Sequence, residues 1–257
     1  MFLLHDIFRH TKGVFTMLTT ILVCILAGLG AGLGTGFAGM SAAAVISPML
    51  ITFLGMEPYQ AIGIALASDV LASAISAWEY HKNKNLDIKN GLVMMITVMI
   101  FTAIASFLSR FISGNTMGGF STVMTMLLGI KFIVRPVMTT KEKMMSVDQK
   151  TRIIQSILCG TIIGLICGFV GAGGGMMMLL LASVLGYELK TAVGTSVFIM
   201  TFTALTGAAS HFYLGGMPDL LVLVLCMLST LFFARVAAVF ANKASAKTLN
   251  RALGVVL

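Results

Sequence analysis

Charged side chains are scarce in this sequence: Asp, Glu, Lys and Arg make up 10% of its 257 residues, against roughly 25% in soluble domains. Such a chain cannot cover a water-facing surface, and its mean hydropathy of +1.01 agrees with this. Segments such as 17–38 and 91–109 carry no charge, and each is long enough to cross a hydrocarbon core of about 30 Å as a helix. Their apolar runs are continuous, whereas barrel strands alternate. The sequence therefore predicts an all-α, polytopic protein of the cell membrane.

The sequence also has few residues of the kinds that build metal, redox or catalytic sites. Its four cysteines lie inside apolar runs, without a CxxC spacing or a His/Cys cluster, so neither zinc nor a disulfide framework is expected. No paired carboxylates and no phosphate-binding loop stand out. Ser196 and His211 would be the nucleophile and base of a serine protease, but 15 residues of one helix separate them by about 22 Å. We expect no enzyme, no metal and no cofactor.

Positive charge collects in short breaks between apolar runs, which is typical of cytoplasmic loops and not of a nucleic-acid-binding patch. The basic residues form four groups: Arg9 and Lys12; Lys82, Lys84 and Lys89; Lys141, Lys143, Lys150 and Arg152; Lys243, Lys247 and Arg251. The expected surroundings are a lipid bilayer, with no nucleic acid. The first apolar run continues past a signal-peptide core without a cleavage pattern. Residues 1–16 are therefore predicted to be an N-terminal cytoplasmic segment ahead of an uncleaved helix.

The chain contains an internal repeat. Sliding it by 132 residues aligns GLGAGLGTGFAG with GTIIGLICGFVG, which matches Gly28 to Gly160 and Gly39 to Gly171. At an offset of 131, the Gly-x-Glu and Ala-x-Gly pairs that follow also match. Ordered matches of this kind indicate a duplication. The predicted units are a first transmembrane repeat at 17–138, a polar linker at 139–151 and a second transmembrane repeat at 152–257.

Each half is predicted to contain about four spanning helices and one short, glycine-broken segment, at about 41–54 and 174–186. If these segments are re-entrant, all four basic groups fall on the side of the N-terminus, as the positive-inside rule favours. If they cross fully, the loop at 82–89 and the linker change sides, and inverted repeats with an odd number of crossings are equally familiar in transporters. The last helix of the first half is predicted at 115–136, and its match in the second half is too short to span alone.

The glycines are of two kinds. Gly28, Gly32, Gly36 and their matches are spaced four apart, which is typical of close helix packing. The run GAGGG is not helically spaced and weakens a helix, and unwound backbone at membrane depth is tolerated only beside protein or a water-filled cavity. Its free amides, at the positive end of the following helix, favour an anion.

The predicted substrate-binding residues are therefore the two breaks and two hydroxyls that follow the second one: Gly39, Met40, Ser41, Gly171, Gly173, Gly174, Gly175, Thr195 and Ser196. For the two hydroxyls the alternative is a hydrogen bond back to a carbonyl of their own helix. The predicted site contains no arginine, because Arg110, Arg135 and Arg235 fall near helix ends, where long basic side chains reach the interface. Neutral donors of this kind favour a small oxyanion over an aromatic sulfonate.

Asp69 is the only acid well inside a predicted span, where a charge is energetically expensive. Two interpretations are open. The carboxylate carries a coupling proton or contacts a coupling cation, with H⁺ and Na⁺ as the candidates, or it is a structural acid hydrogen-bonded to neighbouring hydroxyls.

The run GAGGG, the short apolar segment after it, an acidic turn and AVGTS together resemble the sulfite exporter TauE/SafE family, also called toluene sulfonate uptake permeases. The resemblance covers nearly the whole chain. It implies a secondary transporter of small sulfur-containing or organic anions such as sulfite, sulfonates or sulfoacetate. An anion channel, a carrier of another small anion such as a short carboxylate, and a homodimer are left open.

The chain departs from the family pattern at two places. The proline that usually follows the glycines is present at Pro48 but is Leu180 in the second half, and the Thr-Ser pair of the second half is Ile64 and Ala65 in the first. These departures indicate an asymmetric site, and they bear on the identity of the substrate.

Overall fold

The computed structural model describes residues 2–109, 148–170 and 174–256, together with residues 130, 134, 140, 142, 144 and 146. Within these residues the chain forms α-helices and no strands. The helices are α1 (Phe2–Ala38), α2 (Ala43–Leu54), α3 (Pro58–Lys82), α4 (Ile88–Ser109), α5 (Gln149–Val170), α6 (Gly174–Ser183), α7 (Leu189–Gly215), α8 (Leu220–Lys243) and α9 (Ala246–Val256).

Six of the described helices are long and apolar enough to cross a membrane: α1 (over Met17–Ala38), α3, α4, α5, α7 and α8. The prediction of a helical, polytopic membrane protein is confirmed. Two short helices, α2 with 12 residues and α6 with 10, follow the glycine breaks. The helix predicted at 115–136 lies outside the described residues, apart from residues 130 and 134.

The acidic turns of the two halves start their following helices in the same way. Glu57 is the N-cap of α3 and accepts a hydrogen bond from the Gln60 N–H, while Glu188 is the N-cap of α7 and accepts one from the Thr191 N–H. A carboxylate at this position satisfies an amide that has no partner within the helix and complements the helix dipole. The repeated Gly-x-Glu pattern is therefore a helix start.

Glycine stripes bring two pairs of helices into backbone contact. A Cβ added at Gly32 would lie 2.7 Å from backbone atoms of α8, and one added at Gly164 would lie 2.7 Å from the Val98 carbonyl oxygen of α4. Gly28 meets Ser229 while Gly36 meets Ala237, so residue numbers rise together along α1 and α8. The same holds for α5 and α4, because Gly160 meets Thr97 and Gly164 meets Phe101. The packing interpretation of the stripes is confirmed at these positions, and both pairs are parallel.

Helices α3 and α7 cross the middle of the structure in opposite directions. Gly63 near the start of α3 lies against Phe212 near the end of α7. A Cβ at Gly194, near the start of α7, would lie 2.1 Å from the Asn85 carbonyl oxygen and 2.8 Å from Tyr80 Cβ, at the end of α3. Small residues at both crossings allow this close approach. The two helices that the sequence repeat equates are therefore antiparallel.

The direction of α1 relative to α3 bears on the short helix between them. Helix α3 is parallel to α8, since Glu79 pairs with Arg235 and the Asn85 side chain donates to Asn242 at the ends of both helices. Helix α1 is also parallel to α8, so α1 and α3 share one direction and α2 runs back between them. A segment that enters and leaves on one side would make its flanking helices antiparallel. The directions therefore do not support the re-entrant interpretation of α2.

Candidate functional site

The first glycine break ends α1 with a left-handed residue. Gly39 has φ of 60°, a conformation that costs little only for glycine. Its N–H donates to the Thr35 carbonyl at 2.9 Å, and the Thr35 hydroxyl donates to the Met40 carbonyl at 2.9 Å. Thr35 and Met40 are buried. The backbone polar groups released by the break are thus partly satisfied from within α1.

This break lies against a predicted site residue of the other half. A Cβ at Gly39 would stand 2.2 Å from Ser196 Oγ, and the Val193 carbonyl oxygen lies 3.5 Å from the same point. Ser196 is fully buried, and its hydroxyl donates to the Val193 carbonyl at 2.9 Å. The hydroxyl therefore bonds its own helix, as the alternative interpretation had it, while it faces the first glycine break.

Beyond Gly39, the start of α2 faces the carboxylate of Asp69. Ser41 Oγ donates to Asp69 Oδ2 at 2.8 Å, and Ser73 Oγ donates to Asp69 Oδ1 at 3.0 Å. The Ala42 N–H faces the same carboxylate. Ser41 and Asp69 are both buried. Of the donors predicted to hold an anion in this half, Ser41 therefore binds a carboxylate of the protein itself, while the Gly39 and Met40 N–H groups donate to carbonyls of α1.

The second glycine break differs from the first. Gly171 and Gly173 lie outside the described residues, and α6 begins at Gly174, followed by a half-buried Gly175. At the offset of 131 that aligns the two helices, the position of Asp69 in α3 corresponds to Met200 in α7, which is buried. The second half therefore lacks an acid at that position.

Thr195 joins the start of α7 to the loop between α3 and α4. Its Oγ1 accepts a hydrogen bond from the Asp87 N–H at 3.2 Å, and its methyl group lies 3.1 Å from the point where a Cβ of Gly91 would stand. Thr195 is fully buried. Its hydroxyl oxygen, like that of Ser196, already accepts or donates a hydrogen bond inside the protein.

A polar cluster that the sequence analysis missed lies directly beside Thr195. Asp87 Oδ2 accepts from Tyr187 Oη at 2.8 Å and from Asn90 Nδ2 at 2.7 Å, and Arg152 Nη1 lies 3.5 Å from the same oxygen. The Arg152 guanidinium also donates to the Met144 carbonyl and lies over the Tyr187 ring. Arg152 is only 6% exposed. Sequence reasoning grouped it with the basic residues of a break between apolar runs, and no local signal marked its burial.

The tyrosine of this cluster is a permanent donor. Burial, followed by the neighbouring Asp87 carboxylate, raises the pKa of the Tyr187 hydroxyl well above its usual range. The hydroxyl therefore stays protonated at all physiological pH values and keeps donating to Asp87.

Ser196 and His211 are not brought together. Ser196 lies near the start of α7 against Gly39, whereas His211 stacks on Tyr59 near the end of the same helix, with 4.4 Å between ring centroids. The His211 Nδ1 atom lies 3.0 Å from the Gly207 carbonyl oxygen. This geometry holds no nucleophile–base pair at these two residues.

The contact between Gly39 and Ser196 predicts a specific pattern of stabilities. Gly39→Ala is expected to lower Tm by about 5 °C or more, because it adds left-handed strain and a clash with Ser196 Oγ. In the double variant with Ser196→Ala, the nearest Ser196 atom is Cβ at 3.5 Å, an ordinary contact, so part of the loss should return. Ser196→Ala alone serves as the control and should change Tm little. Equal Tm values for Gly39→Ala and the double variant would contradict the contact.

Comparison with known proteins gives relatives along most of the chain. A protein of Bacillus subtilis, the probable membrane transporter protein YunE, is 26% identical over 240 residues, covering 85% of this chain and 88% of the relative. The probable membrane transporter protein YdhB of the same organism is 23% identical over 211 residues, covering 80% of this chain and 84% of the relative. A probable membrane transporter protein of Methanocaldococcus jannaschii is 29% identical over 153 residues, covering 59% of this chain and 55% of that relative.

No solved structure matches the chain. The family model described as sulfite exporter TauE/SafE matches residues 24–257. Since that match covers both glycine breaks, the central helices α3 and α7 and most of the chain, the protein belongs to the sulfite exporter TauE/SafE family.

Proposed function

We propose that the protein is a secondary transporter of small sulfur-containing or organic anions, of the sulfite, sulfonate or sulfoacetate type. The observation that carries this proposal is the meeting of Gly39, at the break of one half, with Ser196 of the other half, beside the buried Asp69. Buried glycine breaks and an acid at membrane depth are expensive in lipid and mark transport sites. The relatives from both organisms are named as probable membrane transporters.

The two halves are proposed to be inverted repeats. Matched helices α3 and α7 are antiparallel, and α1 and α5 pack in parallel on α8 and α4, which belong to opposite halves. The fourth helix of each half thus packs against the first helix of the other half. Transporters built in this way place the substrate near the midplane, at the interface of the repeats and beside broken helices. The Gly39–Ser196 contact lies at such an interface.

Asp69 is proposed to couple anion binding to a proton. When ionised, its carboxylate holds the Ser41 and Ser73 hydroxyls and faces the Ala42 N–H, so an incoming anion would meet a like charge on its own donors. Protonation removes that charge and allows Ser41 and the amides at the start of α2 to turn to the substrate. Binding of an anion therefore favours uptake of a proton by Asp69, which is the basis of proton-coupled transport. A bound Na⁺ beside the carboxylate would also compensate its charge and so favour binding of the anion.

Burial favours a carrier over a channel. Ser41, Asp69, Thr195 and Ser196 are all buried, and Ser41 is the most exposed of them at 6%. A conducting pore would leave such residues in contact with water from both ends. A carrier passes through a state in which its site is closed, and these residues fit that state.

The donor set favours small substrates. In proteoliposomes, sulfite, short alkyl sulfonates and short carboxylates are expected to be transported or to compete, and toluene sulfonate is not. The physical reason is that the described residues of the site offer backbone amides and small hydroxyls, whereas an aromatic ring requires an apolar cavity. Transport of toluene sulfonate alone would contradict the proposal, and so would linear, non-saturating flux of all anions, which indicates a channel.

Asp69→Asn should uncouple transport from the proton gradient. If one proton accompanies each monoanion, a gradient of about one pH unit supports about tenfold accumulation, and the variant should lose it while still exchanging anion for anion. Glu142→Gln removes an equal charge at an exposed linker residue and serves as the matched control. Dependence on sodium and not on pH would assign the coupling to Na⁺. Unchanged dependence on both in Asp69→Asn would leave Asp69 a structural acid.

The orientation is proposed to be the reverse of the one expected from the sequence. Helices α3 and α8 end, and α4, α5 and α7 begin, at one face, which we name the basic face. The contacts of Arg152 with Asp87 and of Lys190 with Asn242 bring these ends together. The other face, where the span of α1 begins, is named the opposite face. In sequence, three of the four basic groups belong to the segments that begin or end helices at the basic face. Only the group of Arg9 and Lys12 precedes the span of α1.

By the positive-inside rule the basic face is then cytoplasmic and the N-terminus lies outside. A cysteine introduced at the exposed Lys89 should react with a membrane-impermeant maleimide only from the cytoplasmic side. The protein without the introduced cysteine gives the background reaction. Reaction only from the outside would restore the orientation expected from the sequence.

A further inference from the structure

The cluster of Asp87, Asn90, Arg152 and Tyr187, here named the latch, connects both halves of the molecule. Asp87 and Asn90 belong to the α3–α4 connection and the start of α4, in the first half. Arg152 lies in the first turn of α5 and Tyr187 in the turn before α7, in the second half. The side chain of Arg152 is 8% exposed and that of Asp87 16% exposed. The ion pair is thus largely removed from water. The geometry of an ion pair matters most in such surroundings.

The latch covers the candidate site from the basic face. The Asp87 N–H donates to Thr195 Oγ1, and the next residue, Ser196, faces Gly39. The preceding part of the same loop rests on α7, because the Asn85 carbonyl oxygen lies where a Cβ of Gly194 would stand. An anion approaching Ser196 from the basic face therefore meets the α3–α4 loop first. That loop must move before the anion can pass.

Among the residues that the structure describes, the opposite face has no equivalent of the latch. Asp219 precedes α8 as Asp87 precedes α4, but it is exposed and caps its own helix by accepting from the Leu221 and Val222 N–H groups. The repeat places Thr20 where the second half has Arg152. There, α3 and α7 are connected by the stacked rings of Tyr59 and His211. The two ends of the same helix pair are thus held by different interactions, one ionic and one aromatic.

We propose that the latch is the gate of the transport path on the basic face, and that separation of Arg152 from Asp87 opens it. Opening breaks the ion pair, the Tyr187–Asp87 hydrogen bond and the bond from the Asp87 N–H to Thr195 together, so the α3–α4 loop lifts from α7 as a unit. Among the described residues, Arg152 Nε is buried and has no hydrogen-bond partner, so water that enters as the latch opens would give this donor one. The latch has this role only if the protein is the transporter proposed above.

The test uses two cysteine reporters and a membrane-impermeant maleimide. The Thr195→Cys reporter lies beneath the latch and is labelled from the basic face. The His211→Cys reporter lies at the opposite face and is labelled from that face. Adding Arg152→Gln should speed labelling of the Thr195→Cys reporter by at least about tenfold, because it removes the counter-charge of the largely buried Asp87 carboxylate. It should slow labelling of the His211→Cys reporter, because a carrier opens to one side at a time. Lys150→Gln removes an exposed charge two residues away and should change neither rate.

Two further variants keep the test decisive. Tyr187→Phe removes a single hydrogen bond of the latch and should give a smaller change in the same direction, even if Arg152→Gln does not fold. Arg152→Lys keeps the charge and should recover part of the closed state. Faster labelling at both faces would show general loosening and overturn the proposal, as would unchanged rates in Arg152→Gln and Tyr187→Phe. Labelling needs no substrate, so the expected labelling rates in a protein that transports no anion would contradict the proposed function and, with it, the role of the latch as a transport gate. Unchanged rates in a protein that does transport anions would contradict the latch alone.

Discussion

A break in a helix at membrane depth exposes backbone groups that lipid cannot satisfy, so every such break has to be covered by protein or face a water-filled cavity. The rest of this structure depends on that constraint. The break at Gly39 is covered by α7 of the other half, with the glycine Cα close enough to Ser196 that a side chain would collide with its hydroxyl. Covering the break joins the two halves close to Ser41 and Asp69. Helices α3 and α7 must then approach closely. Gly63 and Gly194 permit this because they have no side chain.

Asp69 and Asp87, two acids of the first half, have different surroundings. Asp69 is fully buried and is held by neutral donors, Ser41 and Ser73, so its charge has no nearby counter-charge among the contacts described. Asp87 lies nearer the surface and is held by a guanidinium, a phenol and an amide. An uncompensated charge at depth is suited to gain or lose a proton, whereas a paired charge near a face is suited to hold two segments together. The two acids therefore fit different steps of one transport cycle.

The halves share their framework and differ in their chemistry. Both use a glutamate N-cap at the start of the long central helix and a glycine stripe on the first helix. Asp69 corresponds to Met200, and Thr195 and Ser196 correspond to Ile64 and Ala65. One half thus supplies the acid and the other supplies two hydroxyls. A symmetric framework that carries an asymmetric site can bind one anion and one coupling ion at different places along the same interface.

The sequence by itself determined the features that depend on local pattern. Apolar runs predicted the spans and glycines spaced four apart predicted the packing stripes, because each of these patterns involves residues near one another in the chain. The direction of α2, the burial of Arg152 and the partner of Ser41 were decided only by the tertiary structure. Arg152 is buried because a loop that lies 65 residues earlier in the chain supplies Asp87. Ser41 bonds Asp69 across 28 residues of sequence. Such contacts form only when helices from distant parts of the chain pack together, and no local pattern encodes which partner they will meet.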